Sequence, residues 1–308
     1  MVLIFYLFSV FILVSFLFYC FKKYSSKYFL DKPNSRSSHT KPIPRGAGII
    51  FSTFTSLLSL FFLESKIYFA YPLSIIGFID DKYSIPSWIR FLSQFFTSFF
   101  MFYSSIFFIE FLNPNSIILS IFFIIFGIAI INFTNFLDCL DGLITSVFII
   151  IFATISLENQ SYVPLVISLL SFLLLNWHPA KLFMGDSGST FIGAVFFYTL
   201  LQTNDPKVFM GRFLLASPIY LDALTCLLSR FRSNFNIFRA HRMHLAQRLY
   251  QAGWSHSKVT KLYILFTFIN SLIYIFGNLN GMYIFTLFTL VCGFYIDKKY
   301  AKDFLSCG

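Results

Sequence analysis

The stretch NFTNFLDCLDGL, residues 132–143, follows SIILSIFFIIFGIAII, sixteen residues without a charge. Asn132, Asn135, Asp138 and Asp141 recur there at every third position, where an apolar helix has to end. With 3.6 residues per turn, each step of three lags by about 60°, so in one unbroken helix Asn132 and Asp141 would face opposite ways. They converge only if the helix ends near Asp138 and the chain turns back, which Gly142 suits. Two other stretches carry carboxylates. GFIDDKYSIP sets Asp80 beside Asp81, and KLFMGDSGST places Asp186 in a turn flanked by Gly185 and Gly188. Adjacent carboxylates repel unless a cation sits near them. Lys82 is one such cation; a divalent metal, which takes hard oxygen ligands, is another.

Only 13 acidic residues occur, so their placement is informative. Glu64, Glu110, Glu158 and Asp205 fall in short loops on one side of the apolar segments, and Asp297 and Asp303 in the C-terminal tail; these six read as solvated. Asp31 lies in the first loop of the other side. Asp80, Asp81, Asp138, Asp141 and Asp186 gather at segment ends on that same side, and Asp222 lies inside the ninth segment. A carboxylate at mid-membrane costs roughly 2.5–3.5 kcal/mol on insertion scales. Caps and ion pairs explain any one of these residues, and a basic partner on a neighbouring helix would explain Asp222, but neither accounts for so one-sided a set.

The same side carries the cations. The loop near 22–47 reads FKKYSSKYFLDKPNSRSSHTKPIPRGAG, and the loop near 230–259 holds five Arg and three His. If that second loop is helical, His241, His244 and Arg248, at i, i+3 and i+7, share one face. Contact with anionic headgroups explains the charge but not the clustered histidines. Carboxylates able to hold a metal and cations able to cradle phosphates are the two halves of a phosphoryl-transfer site, and a membrane setting points to a lipid as one reactant.

The elements that must position these residues are membrane helices. Of the 308 residues 57% are hydrophobic and 12% charged, well beyond the apolar share of soluble domains. Eleven segments approach the roughly 20 apolar residues a spanning helix needs. They lie near 2–21, 48–63, 66–79, 88–108, 115–134, 142–157, 161–177, 187–202, 212–229, 260–277 and 281–296, with the third and sixth short. Counted by loop parity, 20 of the 23 Lys and Arg fall on one side, which the positive-inside rule makes cytoplasmic, leaving the N-terminus outside and the C-terminus inside. The expectation is an all-α polytopic membrane protein of about eleven spans, one integral domain over 1–308, with its active site at the cytoplasmic face. The motif-bearing loops lie near 22–47, 80–87, 135–142, 177–188 and 230–259. The first segment lacks a basic leader and a cleavage site and reads as a retained anchor. Cys20, Cys139, Cys226, Cys292 and Cys307 are scattered, with no CxxC or Cys/His spacing, so sequence offers no case for zinc or a disulfide framework. No soluble domain presents the cations, which argues against nucleic acid as a partner.

In order, DKPNSRSSHTKPIPRGAGI, GFIDDKYSIP, NFTNFLDCLDGL, NWHPAKLFMGDSGST and AHRMHLAQRL make the chain resemble the polyprenyl-phosphate N-acetylhexosamine-1-phosphate transferases of glycosyltransferase family 4, from residue 31 to about 250. The resemblance implies transfer of a sugar-1-phosphate from a UDP-N-acetylhexosamine to undecaprenyl phosphate, with release of UMP, in the inner membrane of a bacterium. It implies Asp80 and Asp81 as the catalytic pair and Asp186 as the ligand of Mg²⁺, with Mn²⁺ as the alternative ion. Asn135, Asp138 and Asp141 would border the nucleotide, Asn176 and Phe183 would hold the uracil, and His241, His244, Arg248 and Arg45 would meet the diphosphate and sugar. A homodimer is compatible with it. Cys139 stands where the family usually has Gly, as does Ala47. HRMHLAQRL is closer to the subset that starts O-antigen and capsule chains, a step of lipopolysaccharide and cell-wall biogenesis. The rival reading, a transporter or lipid flippase, should show ionisable groups near mid-membrane and internal repeats; no repeat is visible and the charges crowd one interface.

Overall fold

The structure is a computed structural model that describes residues 2–33, 37–63, 65–111, 117–236, 239 and 241–307. Glu64 lies outside the described residues. Helices dominate: α1 (Val2–Tyr28), α2 (Gly48–Phe62), α3 (Tyr71–Tyr83), α4 (Ser87–Tyr103), α5 (Ile106–Phe111), α6 (Ile117–Phe136), α7 (Leu143–Ser156), α8 (Val163–Asn176), α9 (Asp186–Leu200), α10 (Pro206–Leu215), α11 (Ser217–Arg232), α12 (Leu245–Gln251), α13 (His256–Phe276) and α14 (Leu279–Tyr300). Two two-residue strands, β1 (Leu30–Asp31) and β2 (Ile43–Pro44), pair antiparallel in the loop after α1.

Helix α9 is the hub. Every residue from Ser187 to Leu200 is buried, and the helix packs against α2, α3, α4, α6 and α10. Being wrapped by protein, it needs no apolar outer face, and its 15 residues rise only about 22 Å against a hydrocarbon core of about 30 Å. Around it, α8 packs on α1 and α7, α7 on α13, and α11 on α14. The outer helices are greasy toward the surroundings: Phe61, Phe62, Ile118, Phe231 and Phe276 are exposed.

Each of the eleven apolar segments carries helix, yet by length and composition only four described helices suffice to cross a membrane alone: Leu7–Tyr28, Ile117–Phe136, His256–Phe276 and Leu279–Tyr300. Two segments expected as single spans are broken. The ninth is a pair, α10 and α11, bent by 76°; Pro218 lies in the first turn of α11, where its missing N–H and fixed φ begin a helix but do not continue one. The fourth divides into α4 and α5 at Ser104–Ser105.

Two carboxylates expected to be merely solvated are paired. Glu158 accepts from Arg212 Nη2 at 2.7 Å and from the Tyr274 hydroxyl, tying the α7–α8 loop to the bent pair and α13. Asp297 accepts from Arg248 Nη2 at 2.6 Å. Inside the bundle, Gln94 on α4 and Asn132 on α6 exchange hydrogen bonds, at 3.2 and 2.8 Å, which satisfies both amides away from water.

Candidate active site

Helix α6 stops at Phe136, and residues 137–142 form a turn that ends in the left-handed Gly142 at φ 70°. That break gives the four polar positions different duties. Asn132 stays in the bundle with Gln94. Asn135 Nδ2 donates to Ser189 Oγ on α9 at 2.9 Å, and Asp138 and Asp141 turn into a cavity of about 380 Å³.

One wall of that cavity is built by strand-like pairing of the segment before α9 with β2. Phe183 N donates to Pro44 O at 2.8 Å, Ala47 N to Phe183 O at 3.1 Å and Gly48 N to Met184 O at 2.9 Å. The pairing brings Arg45 to Asp186 although 141 positions separate them. Gly185 then turns the chain at φ +72°; a Cβ there would stand 2.1 Å from Asp81 Oδ2. Asp81 accepts from Asp186 N at 3.0 Å and lies 3.5 Å from Ser187 N, so it meets the positive N-terminus of α9.

The result is a dense charge cluster. Arg45 Nε is 2.8 Å from Asp81 Oδ1, and its Nη2 is 3.0 Å from Asp186 Oδ1. Arg90 Nη1 lies 3.0 Å from Asp80 Oδ2 and 3.5 Å from Asp186 Oδ2, while Ile85 N donates to Asp80 Oδ1 at 2.8 Å. Burial, reinforced by Asp186 and opposed by Arg45, pushes Asp81 up to about 7. Burial and then Asp186 push Asp138 up to about 7, and the same two causes raise Asp80 against Arg90. Burial would lower Arg45, but Asp81 and Asp186 outweigh it and hold the guanidinium above its ordinary value. Asp80, Asp81, Asp138 and Asp186 thus outnumber the two arginines, an excess of carboxylates that a bound cation would offset. Oxygen-only donors in negative excess suit Mg²⁺ or Mn²⁺.

Asp141 serves a different purpose. It accepts from His178 Nδ1 at 2.7 Å and from Ala180 N at 3.1 Å. His256 Nδ1 accepts from Asp141 N at 3.1 Å, and its Nε2 is 3.0 Å from Ser38 O. His256 thereby joins the turn, the first loop and α13. Burial would raise Asp141, but the nearby His256 and His178 rings and the Ala180 N–H outweigh it and lower it.

Arg45, Asn135, Asp138, Asp141, Asn176, Phe183, Asp186 and His241 line the one cavity, and Asp80 and Asp81 adjoin it through Asp186, Arg45 and Arg90. Asn176 contributes from behind: its amide donates to Leu182 O at 3.0 Å and accepts from Thr145 Oγ1 at 2.7 Å, so it fixes the turn beneath the cavity. Phe183 presents a half-buried ring, edge-on to His39 at 5.2 Å. Burial, with His244 close by, holds His241 down at about 3, a neutral ring at ordinary pH.

Two expected residues face elsewhere. His241 and His244 precede α12 rather than share its face with Arg248, because Asp222 caps that helix by accepting from Leu245 N at 2.7 Å and Ala246 N at 3.1 Å. His244 turns toward Asp222 and is buried. Arg248 points away from the cavity, to Asp297, Met243 O at 3.1 Å and Lys302 O at 2.9 Å. It pins the C-terminal tail, so Arg248→Ala should lower thermal stability by on the order of 2 kcal/mol, the worth of charge-assisted hydrogen bonds, and leave the KM for donor nearly unchanged. A variant with unchanged melting and a raised KM would return Arg248 to the donor.

Sequence reasoning missed Arg90, His178 and His256. Arg90 is the one Arg between Arg45 and Arg212, a usable signal; the two histidines gave none.

Residues 65–204 match the family model of glycosyl transferase family 4. The chain is 28% identical over 288 residues to the decaprenyl-phosphate N-acetylglucosaminephosphotransferase of Mycobacterium leprae, covering 75% of this chain and 72% of that protein. It is 32% identical over 167 residues to the undecaprenyl-phosphate alpha-N-acetylglucosaminyl 1-phosphate transferase of Thermotoga maritima, 54% of each. It is also 28% identical over 263 residues to the phospho-N-acetylmuramoyl-pentapeptide-transferase of Fervidobacterium nodosum, 77% of this chain and 83% of that protein. With most of its ordered motifs gathered around one cavity, the chain is similar to glycosyl transferase family 4 over residues 65–204 and to these polyprenyl-phosphate transferases over most of its length.

Proposed function

We propose that the protein transfers a sugar-1-phosphate, N-acetylhexosamine-1-phosphate in the first instance, from a UDP-sugar to undecaprenyl phosphate. A lipid phosphate oxygen bonds to the β-phosphorus, the α–β anhydride bond breaks, and its bridging oxygen leaves with UMP. The observation that carries this reading is the carboxylate cluster in negative excess at the edge of a polar cavity, with arginines among the carboxylates. Asp186, with Asp80 and Asp81, would hold Mg²⁺, which when bound neutralises charge on the phosphoryl oxygens. Arg45 and Arg90 keep the carboxylates in place, and Asp138 and Asp141 border the nucleotide. The lipid phosphate has a second pKa near 6 and is largely a dianion at neutral pH. It therefore needs little help to lose a proton, and direct attack fits carboxylates that are already hydrogen-bonded.

In this reading the short helices cross the bilayer inside the bundle, completing eleven spans with the cavity at the cytoplasmic face of the inner membrane. The sequence around His241 favours the initiation of an O-antigen or capsule chain. Purified protein in detergent, given a panel of UDP-sugars, should release UMP only when undecaprenyl phosphate is present. A chelator should stop release, and Mg²⁺ or Mn²⁺ should restore it. UMP release that ignores the lipid phosphate, or no release with any UDP-sugar, would refute the transferase reading in favour of transport or flipping.

A further inference from the structure

Beside the cavity, the fold gathers three side chains that no spacing in the sequence connects. Cys226 comes from α11, and His241 and His244 from the segment entering α12. One donor atom of each lies within 4.8 Å of the other two. Cys226 and His244 are buried, Cys226 is a free thiol, and His241 is half-buried on the cavity wall. A second observation points to a ligand. His244 Nδ1 is buried with no hydrogen-bond partner; Asp222 Oδ1 is 3.7 Å away, beyond hydrogen-bond range. Buried polar atoms are rarely left so.

We propose that Cys226, His241 and His244 form a binding site for a zinc-class divalent cation, separate from the carboxylate cluster. A thiolate with two imidazoles is a borderline-soft donor set that selects Zn²⁺ over Mg²⁺. The carboxylate cluster offers only oxygen and has the opposite preference. Three protein ligands leave a fourth tetrahedral position to water. Asp222, itself held by Leu245 N, Ala246 N and the Tyr263 hydroxyl at 2.7 Å, places a buried carboxylate 3.7 Å from His244 Nδ1, a nearby negative charge that favours a cation there. Binding the ion would fasten the segment before α12 to α11 and so fix the His241 wall of the cavity. The site does not depend on the transferase reading, since none of its evidence comes from the reaction.

The test uses full-length protein in detergent under reducing conditions, stripped of metal and titrated with Co²⁺ in excess Mg²⁺. The parent should bind about one Co²⁺ per chain with thiolate-to-cobalt charge-transfer absorption and the strong visible bands of a four-coordinate site. Zn²⁺ should displace it. Cys226→Ser should lose the charge-transfer band, His244→Ala should weaken binding by about tenfold or more, and Cys139→Ser, which alters a nearby thiol, should keep the band. No charge-transfer band in the parent overturns the proposal, and this outcome is readable even if Cys226→Ser fails to fold. A band that survives Cys226→Ser in folded protein overturns it equally.

Discussion

Asp186→Asn should abolish turnover, by about 10³-fold or more, while leaving the protein as thermostable as the parent or more so. The first half follows from the proposed function and from removing the carboxylate that links Asp80, Arg45, Arg90 and the cavity; losing a single electrostatic contact at a transferring group costs about 10²–10³-fold, and losing the proposed metal ligand would cost more. The second half follows from charge counting. Asp186 raises Asp80, Asp81 and Asp138 through space, so neutralising it relieves repulsion. The backbone N–H that Asp186 gives to Asp81 is unchanged by the substitution. Kinetics with Mg²⁺ added and a melting curve on the metal-free protein of the same preparation check both halves. An Asn variant that is inactive because it has unfolded would show the cluster to be a structural ion-pair network instead.

Asp81→Asn should lose both activity and fold stability. Its side chain is fully buried, and its oxygens meet Arg45 Nε, Asp186 N and, more distantly, Ser187 N. An amide supplies one acceptor and turns a donor toward groups that are all donors. Breaking one partner of a buried ion pair costs roughly 3–5 kcal/mol; Arg45 is partly exposed, so the lower end applies. The contrast between the two variants is the informative quantity: under the proposed function Asp186 works outward, on a ligand, whereas Asp81 works inward, holding the start of α9. Equal stability loss in both would erase that division.

The sequence made the helices and the turn legible because both follow from local rules. Apolar runs set the segments, and the three-residue spacing from Asn132 to Asp141 demanded a break that the structure places between Phe136 and Gly142. The clustering of Asp80, Asp81 and Asp186 was readable because each sits at a helix end on one side. What stayed hidden depends on packing across the chain. Arg248 was expected at the cavity because its helix was assumed to begin before His241; Asp222, 23 residues away, caps it later and turns the arginine to the tail. His178 and His256 meet over Asp141 from two different segments, with rings 4.9 Å apart, and no spacing announces a contact of that kind. The bend at Ala216 and Pro218 was legible in principle from the proline but was overridden by the apolar run around it. For the same reason Cys226, His241 and His244 read as unrelated residues until α11 and the entry to α12 are brought together.

The central claim is that the β-phosphorus of a nucleotide sugar moves to a lipid phosphate. UDP-N-acetylglucosamine labelled at its β-phosphorus, incubated with the purified protein, Mg²⁺ and undecaprenyl phosphate, tests it directly. The account predicts that the label moves with the sugar into an organic-extractable lipid diphosphate while unlabelled UMP appears in the aqueous phase in equal amount. Label that remains aqueous as sugar-1-phosphate or inorganic phosphate, with no labelled lipid formed, would contradict it.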